Sequence, residues 1–494
     1  MGYVAKIMQG VLSPEMSSRR QRLGALFAVA CMQSGVTASL FALTSPLRAV
    51  IVALALPCAV AIFLSPHLGA YMIAAILIGH WPWGVMRYFG MLVAASTFMW
   101  LFLRRERIFP FNPILLWAAL FTGFVLISTI SPRTRIGLWT TALAFVGHFT
   151  LVWIFVALLD SRSAVLRVVQ LMVLSGVATA VIGLIQWRTH FVWPASTTYY
   201  ADASQGDFVG KSALELQGWL GQFRIDSITG TPDMLPLYLQ TLMPFVAFWL
   251  VRQHSRVRQV IGMLILALFG VVHFLSFTRG AILTTLVVVA MIGWMIDKRR
   301  MVVFGPTLAL VGFAALMSWE PMRERIISLI ALTPSLQEDA HLESSRWRLA
   351  VLPIGVKVLF ERPLLGMGAG QQRYNWPPSA RHLIPEVEEP TVIHNSYLQI
   401  GIEIGIGGLT ALLVLMMIIF RELRRLARRF LALGDCEMAD VARASLIAFL
   451  GIALAMMAYP MLDSFRYFWL LAGLTGAMVR LEGALPAIAS RANA

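Results

Sequence analysis

The chain has 494 residues, of which 58% are hydrophobic and only 13% charged, with a mean hydropathy of +0.75. That composition excludes a soluble exterior for most of the length and describes an integral membrane protein. The net charge of +15 would suit nucleic acid, but its confinement to alternate loops, set out below, excludes that reading.

Successive apolar runs of roughly 16 to 24 residues match what a helix needs to cross about 30 Å of hydrocarbon. Barrel strands would be shorter and would alternate. The runs predict an all-α polytopic protein with spans near 24–44, 49–66, 68–86, 88–103, 113–130, 137–159, 164–187, 234–251, 258–276, 280–297, 301–318, 397–420, 444–461 and 467–481. The first, fourth and last are the shortest or most polar, so the expected bundle has 12–14 helices. Met1–Ser18 lacks a cleavable signal pattern, and Arg19, Arg20 and Arg22 precede the first span like an uncleaved start.

The basic groups Arg104, Arg105 and Arg107; Arg252, Arg256 and Arg258; Lys298, Arg299 and Arg300; and Arg421, Arg424, Arg425, Arg428 and Arg429 fall in alternate loops. By the positive-inside rule these loops are cytoplasmic. Parity sends 188–233, 277–280 and 319–396 to the outer face, and 319–396, with 8 Lys/Arg against 9 Asp/Glu, adds nothing to the basic excess. The chain then divides into a cytoplasmic N-terminus (1–23), N-terminal helices (24–187), a first outer loop (188–233), central helices (234–318), a large outer loop (319–396), C-terminal helices (397–481) and a cytoplasmic tail (482–494). Cys31, Cys58 and Cys436 show no pairing or CxxC pattern.

Both long outer loops are too rich in aromatic and apolar residues to be disordered and should pack as a cap. In the second, Ser344 and Ser345 predict the N-cap of a surface helix from Arg346 to Phe360, with Leu349, Leu352, Val356 and Phe360 as its apolar face. Pro353 should kink that helix, and Pro363 followed by Gly366, Gly368 and Gly370 should end it.

Four polar constellations fall on the outer face. Arg279, in Ser276-Phe277-Thr278-Arg279-Gly280, is either an interfacial arginine snorkelling to lipid or a phosphate ligand, a guanidinium being a permanently charged, bidentate fork. Arg224 precedes Thr229-Gly230-Thr231-Pro232-Asp233 and either pairs with Asp226 or Asp233 to organise the turn or binds an anion. Arg346, beside Trp347, is a third cation of the same ambiguity. His394, at the mouth of the helix in 397–420, is the best general base in the chain, and Asn395, Gln399 and Glu403 follow on one helical face. The alternatives are an interfacial cap for His394 and an interhelical pair for Glu403. Gly401, Gly405, Gly407 and Gly408 suit close helix packing. Gly366-Met367-Gly368-Ala369-Gly370 lacks a P-loop's Lys and Ser/Thr, and no DxD or HExxH occurs, so neither a nucleotide nor a metal cofactor is expected.

Arg224 with Thr229–Asp233, then Ser276–Gly280, then Arg346-Trp347 leading to Arg362-Pro363-Leu364-Leu365-Gly366-Met367-Gly368, then His394–Gln399 with Glu403-Ile404-Gly405, in this order over roughly residues 220 to 420, resembles the O-antigen ligase superfamily. That superfamily includes lipopolysaccharide O-antigen ligases, O-antigen and exopolysaccharide polymerases, and some pilin oligosaccharyltransferases. The resemblance implies a GT-C type glycosyltransferase of the bacterial inner membrane with a periplasmic active site. Its donor would be a glycan on undecaprenyl diphosphate and its acceptor a hydroxyl, of lipid A-core in a ligase or of a growing glycan in a polymerase. It further implies that Arg224 and Arg279 bind the diphosphate, with Arg346, Asn395 and Glu403 as further substrate contacts, and that His394 is catalytic. Phe277-Thr278-Arg279 departs from the commoner small-Ser-Arg pattern, and Ile225-Asp226-Ser227 is inserted before the Thr-Gly. A lipid-linked glycan transporter is the rival outside enzymes; it would place ionisable groups at mid-membrane rather than at one face.

Overall fold

The computed structural model describes residues 57–79, 83–130, 138–190, 224–229, 231–299, 301–303, 340–372, 393–460, 462 and 465–492, with a few isolated positions between 305 and 323; at 83–87, 279, 340–350 and 485–492 it describes the backbone alone. Among these residues there are helices and no strands. The expected span 24–44, residues 49–56 of the span 49–66 and most of 301–318 lie outside the described residues, as does most of the first outer loop.

The contacts divide the chain into two units, residues 1–73 with 83–110, and residues 74–82 with 111–494. In the first, α1 (Pro57–Leu64) and α2 (Pro66–Ile76) meet at a 119° bend. Pro66 opens α2, where the missing N–H costs nothing. The predicted span 68–86 is therefore not one rod: α2 ends at Ile76, a turn follows, and α3 (Trp83–Leu103) begins after it. Ser96 on α3 donates to the Ile62 carbonyl at 2.8 Å.

The second unit contains α4 (Pro113–Ser128), α5 (Leu138–Leu158), α6 (Arg162–Thr189), α7 (Met234–Arg252), α8 (Arg256–Leu275), α9 (Arg279–Ile296), α10 (Ala340–Glu361), α11 (Ser396–Ala432), α12 (Cys436–Ala455) and α13 (Arg466–Ala492). Six helices, α5 to α8, α11 and α12, are long and apolar enough to cross a bilayer; α4 and Gly280–Ile296 are apolar but shorter. α7 is the central post, buried from Leu235 to Phe248 although it contains Pro236 and Pro244. It packs on α6, α8, α9 and α12, while α13 packs mainly on α5. Between α4, α5 and α13 an aromatic cluster of Phe121, Phe145, His148 and Trp469 fills the core, with His148 stacked on Trp469 at 5.3 Å.

Side-chain bonds sort the helix ends into two sets, as the charge parity requires. At one end Arg162 binds Asp435 and Glu437, Arg252 binds Asp440, and Arg425 reaches Glu422 and Glu482. The C-terminal turns of α11, with Arg421 to Arg429, lie at this basic end. The starts of α7, α9 and α11 and the ends of α4, α6, α8 and α12 share the opposite end.

The surface helix predicted at 346–360 begins earlier, at Ala340, so Ser344 and Ser345 lie inside it rather than capping it. Leu342 and Glu343 are good helix formers and extend it backward. It runs through Pro353 and ends at Glu361, just before Arg362-Pro363. A helix lying on a membrane surface leaves its apolar stripe open and packs on the protein with its other side. Val351, Ile354 and Val358 pack with Met367, Ile393 and Ile402; of the predicted stripe, Leu352 is partly buried against this cluster, while Phe360 is 70% exposed and Val356 is exposed too. The α10–α11 contact decides this: Gly355 leaves room for Ile393, Leu398 and Ile402, which draws that side of the helix inward.

Candidate active site

The first element is a seat for Arg224. Its Nε donates to the Ser276 carbonyl at 3.1 Å, and its Nη2 to Asp233 at 2.9 Å and to Thr278 Oγ1 at 3.1 Å. Of the two partners the sequence offered, Arg224 thus takes Asp233. Asp226 is buried and accepts from Gln186 Nε2 at 2.6 Å, while Gln186 Oε1 takes the N–H groups of Asp226 and Ser227. Two backbone donors and one carboxylate oxygen are met by a single amide, which holds the loop against the end of α6. Nη1 of Arg224 carries no hydrogen bond among the described residues and forms the remaining edge of the fork.

The second element is the turn between α8 and α9. Phe277 adopts φ +51°, a left-handed conformation costly for a bulky residue, and its side chain is buried. This sharp reversal leaves the Ser276 carbonyl and the Thr278 hydroxyl facing Arg224. Thr278 Oγ1 also lies 3.0 Å from the Pro232 carbonyl and 3.2 Å from Asp233 Oδ1. The arginine loop and the arginine turn therefore form one hydrogen-bonded unit. Arg279 is the first residue of α9 and Arg346 lies within α10; their side chains fall outside the described residues.

The third element is the entry to α11. His394 is half-buried; before it, Ile393 is 1% exposed in the α10 contact. Asn395 caps the helix: its Oδ1 accepts from the Leu398 N–H at 2.9 Å and its Nδ2 donates to the Met457 carbonyl at 3.2 Å. The Ser396 N–H donates to Met456 and its hydroxyl to Tyr459, at 2.8 and 2.6 Å.

The fourth element explains the glycine run. α11 breaks at Gly405, with φ +87° and ψ 177°. A break inside an apolar helix strands backbone groups, and the segment after α10 pairs with them. The Ile406 N–H donates to Pro363, and the N–H groups of Met367 and Gly368 donate to Ile402 and Glu403, at 2.7, 2.8 and 2.9 Å. The Glu403 carboxylate accepts from the Gly370 N–H at 3.0 Å, and Ser128 Oγ from Ala369 at 3.2 Å. The N–H groups from Met367 to Gly370 are all engaged within the protein, which answers the phosphate-loop question. A methyl group at Gly366 would come within 2.5 Å of the Glu403 backbone, and one at Gly405 within 2.3 Å of the Leu364 carbonyl. Gly407 and Gly408 pack on Phe124 as the small-residue pattern predicts, but Gly405 serves the break instead.

The predicted Asn395–Gln399–Glu403 face is thus an anchoring face. Asn395 and Glu403 both hold backbone, and Gln399 is buried with no hydrogen bond to Oε1. Three contributors escaped the sequence reading: Gln186, Ser128 and Tyr459. Gln186, at the end of an apolar span, carried the only visible signal, because an amide there needs a partner. Residues 263–413, from within α8 to within α11, match the O-antigen ligase family. No curated protein matches the chain.

Proposed function

Because residues 263–413 make this chain a member of the O-antigen ligase superfamily, we propose that it transfers a glycan from an undecaprenyl diphosphate carrier to an acceptor hydroxyl on the periplasmic face of the bacterial inner membrane. The most fitting acceptor is lipid A-core, which would make it an O-antigen ligase. In the proposed step the acceptor oxygen bonds to the anomeric carbon as the bond from that carbon to the diphosphate oxygen breaks. The electron pair leaves with the diphosphate, the hydroxyl proton passes to the neutral imidazole of His394, and the configuration inverts. Arg224 and Arg279, with Arg346, neutralise the departing diphosphate in place of a divalent ion. Asn395 keeps the segment carrying His394 in place, Glu403 holds the glycine segment that seals the helix break, and both are proposed as further contacts to the glycan.

The observation that carries this reading is the seat of Arg224 on the turn that leads into Arg279. Two arginine motifs 55 positions apart in the sequence share one hydrogen-bonded unit, and one edge of the first guanidinium is left over. The test is to incubate purified protein with undecaprenyl diphosphate glycan and a panel of acceptors in the presence of a chelator. Transfer to lipid A-core supports the reading, and no transfer to any hydroxyl overturns it. Arg279→Lys, which keeps the charge and loses the fork, should weaken donor use clearly; wild-type donor affinity would leave Arg279 a lipid-facing anchor. Cells lacking the protein should accumulate long carrier-linked chains, whereas single repeat units would identify a polymerase.

A further inference from the structure

The reaction proposed above needs His394 at a set distance from the diphosphate arginines, yet His394 precedes α11 while Arg279 opens α9. The short turn after α12 touches both. The Ala453, Met456, Met457 and Tyr459 carbonyls accept, in order, from the Tyr397 hydroxyl at 2.8 Å, the Ser396 N–H at 2.8 Å, Asn395 Nδ2 at 3.2 Å and the Ser396 hydroxyl at 2.6 Å. Every donor lies within three residues of His394. The orphan carbonyls that end one helix thus meet one backbone N–H and three side-chain donors at the start of another.

The ring of Tyr459 closes over the other motif. Tyr459 is 3% exposed, and a Cβ added to Gly280 would lie 2.6 Å from its hydroxyl oxygen and 3.1 and 3.2 Å from Cζ and Cε2. Gly280 immediately follows Arg279, so the phenol rests on the first turn of α9. The same helix is close-packed lower down: a Cβ at Gly451 of α12 would lie 2.6 Å from Val288 of α9 and 2.7 Å from Gln240 of α7.

We propose that Tyr459, with the carbonyls of residues 453–459, is the positioning element that sets the segment bearing His394 against the arginine turn. This rests on the functional reading above. It explains why position 280 carries no side chain: a methyl group there would push the phenol, and with it the carbonyls that hold Asn395 and Ser396. Misplacement by about 1 Å at a reacting group costs about 10²-fold.

The test compares the wild type, Gly280→Ala, Tyr459→Phe and the double variant in full-length protein, by kcat, donor KM, thermal midpoint and amide hydrogen exchange over residues 393–398. Gly280→Ala should lose about 10- to 100-fold in kcat, with donor KM and midpoint near wild type and faster exchange over 393–398. Tyr459→Phe should cost less than about tenfold on the same grounds. In the double variant the obstructing oxygen is gone, so kcat should recover well above that of Gly280→Ala and exchange should return toward wild type. A wild-type rate in Gly280→Ala, a double variant no better than Gly280→Ala, or unchanged exchange would each overturn the positioning role. A wild type inert toward polyprenyl diphosphate glycans would refute the functional reading instead, and the exchange comparison would still decide the coupling.

Discussion

The two ends of the second unit both hold arginines, and they hold them differently. At the basic end several cations meet carboxylates from other segments: Arg162 with Asp435 and Glu437, Arg252 with Asp440, Arg425 and Arg429 with Glu482; Arg252 also donates to the Cys436 carbonyl, and Arg480 to those of Val156 and Ala157. These pairs tie helix ends together. At the opposite end Arg224 has one carboxylate, a backbone carbonyl and a hydroxyl, and among the described residues its Nη1 carries no hydrogen bond. Asp233 offsets part of the charge of Arg224, and the carbonyl and hydroxyl fix the orientation of its guanidinium. Under the proposed function the difference is between arginines that fasten helix ends and one whose remaining edge takes an anion.

The largest effect that would test this contrast is the loss of His394. General-base catalysis is worth about 10²–10⁴-fold, so His394→Ala should fold normally and retain only residual transfer; a wild-type rate in purified protein would remove the imidazole from the chemistry. Next comes Gly405→Ala, which combines an unfavourable φ with an overlap against the Leu364 carbonyl. Backbone strain alone is about 1–3 kcal/mol, and thermal unfolding should register a loss of at least that size. A stable variant would mean that the helix break is not structural. Arg224→Lys keeps the charge but cannot span Ser276, Asp233 and Thr278 together. Donor KM should rise about tenfold, the 1.4 kcal/mol expected of one charge-assisted bond. The smallest effect belongs to the basic end: Arg162→Ala should cost at most about 1 kcal/mol and leave transfer unchanged. Equal damage to transfer from Arg162→Ala and Arg224→Lys would erase the distinction between the two ends.

Much of the helix plan was legible because apolar runs and breakers are local signals. The spans expected at 113–130, 137–159, 164–187, 234–251, 258–276 and 280–297 agree with α4 to α9 within a few residues. The misreadings have one cause. For α10, periodicity named the apolar stripe with Val356 and Phe360 but not the side that packs on protein, Val351, Ile354 and Val358, which the start of α11 selects. The same holds for 68–86, where apolar composition continues across a turn that it cannot register.

The candidate site divides in the same way. His394, Arg224 and Arg279 were visible because charge or a titratable ring is conspicuous at the edge of an apolar span. Gln186, Ser128 and Tyr459 were not, since each matters through a backbone group distant in the chain. By itself the sequence determined a polytopic helical protein with its arginine and histidine motifs at one face, because hydrocarbon length and charge asymmetry act on each segment separately. Only the tertiary structure decided that Arg224 takes Asp233 rather than Asp226, that the glycine run seals a broken helix, and that Tyr459 joins the two motifs. Each of those choices depends on which unpaired backbone groups meet when the helices pack.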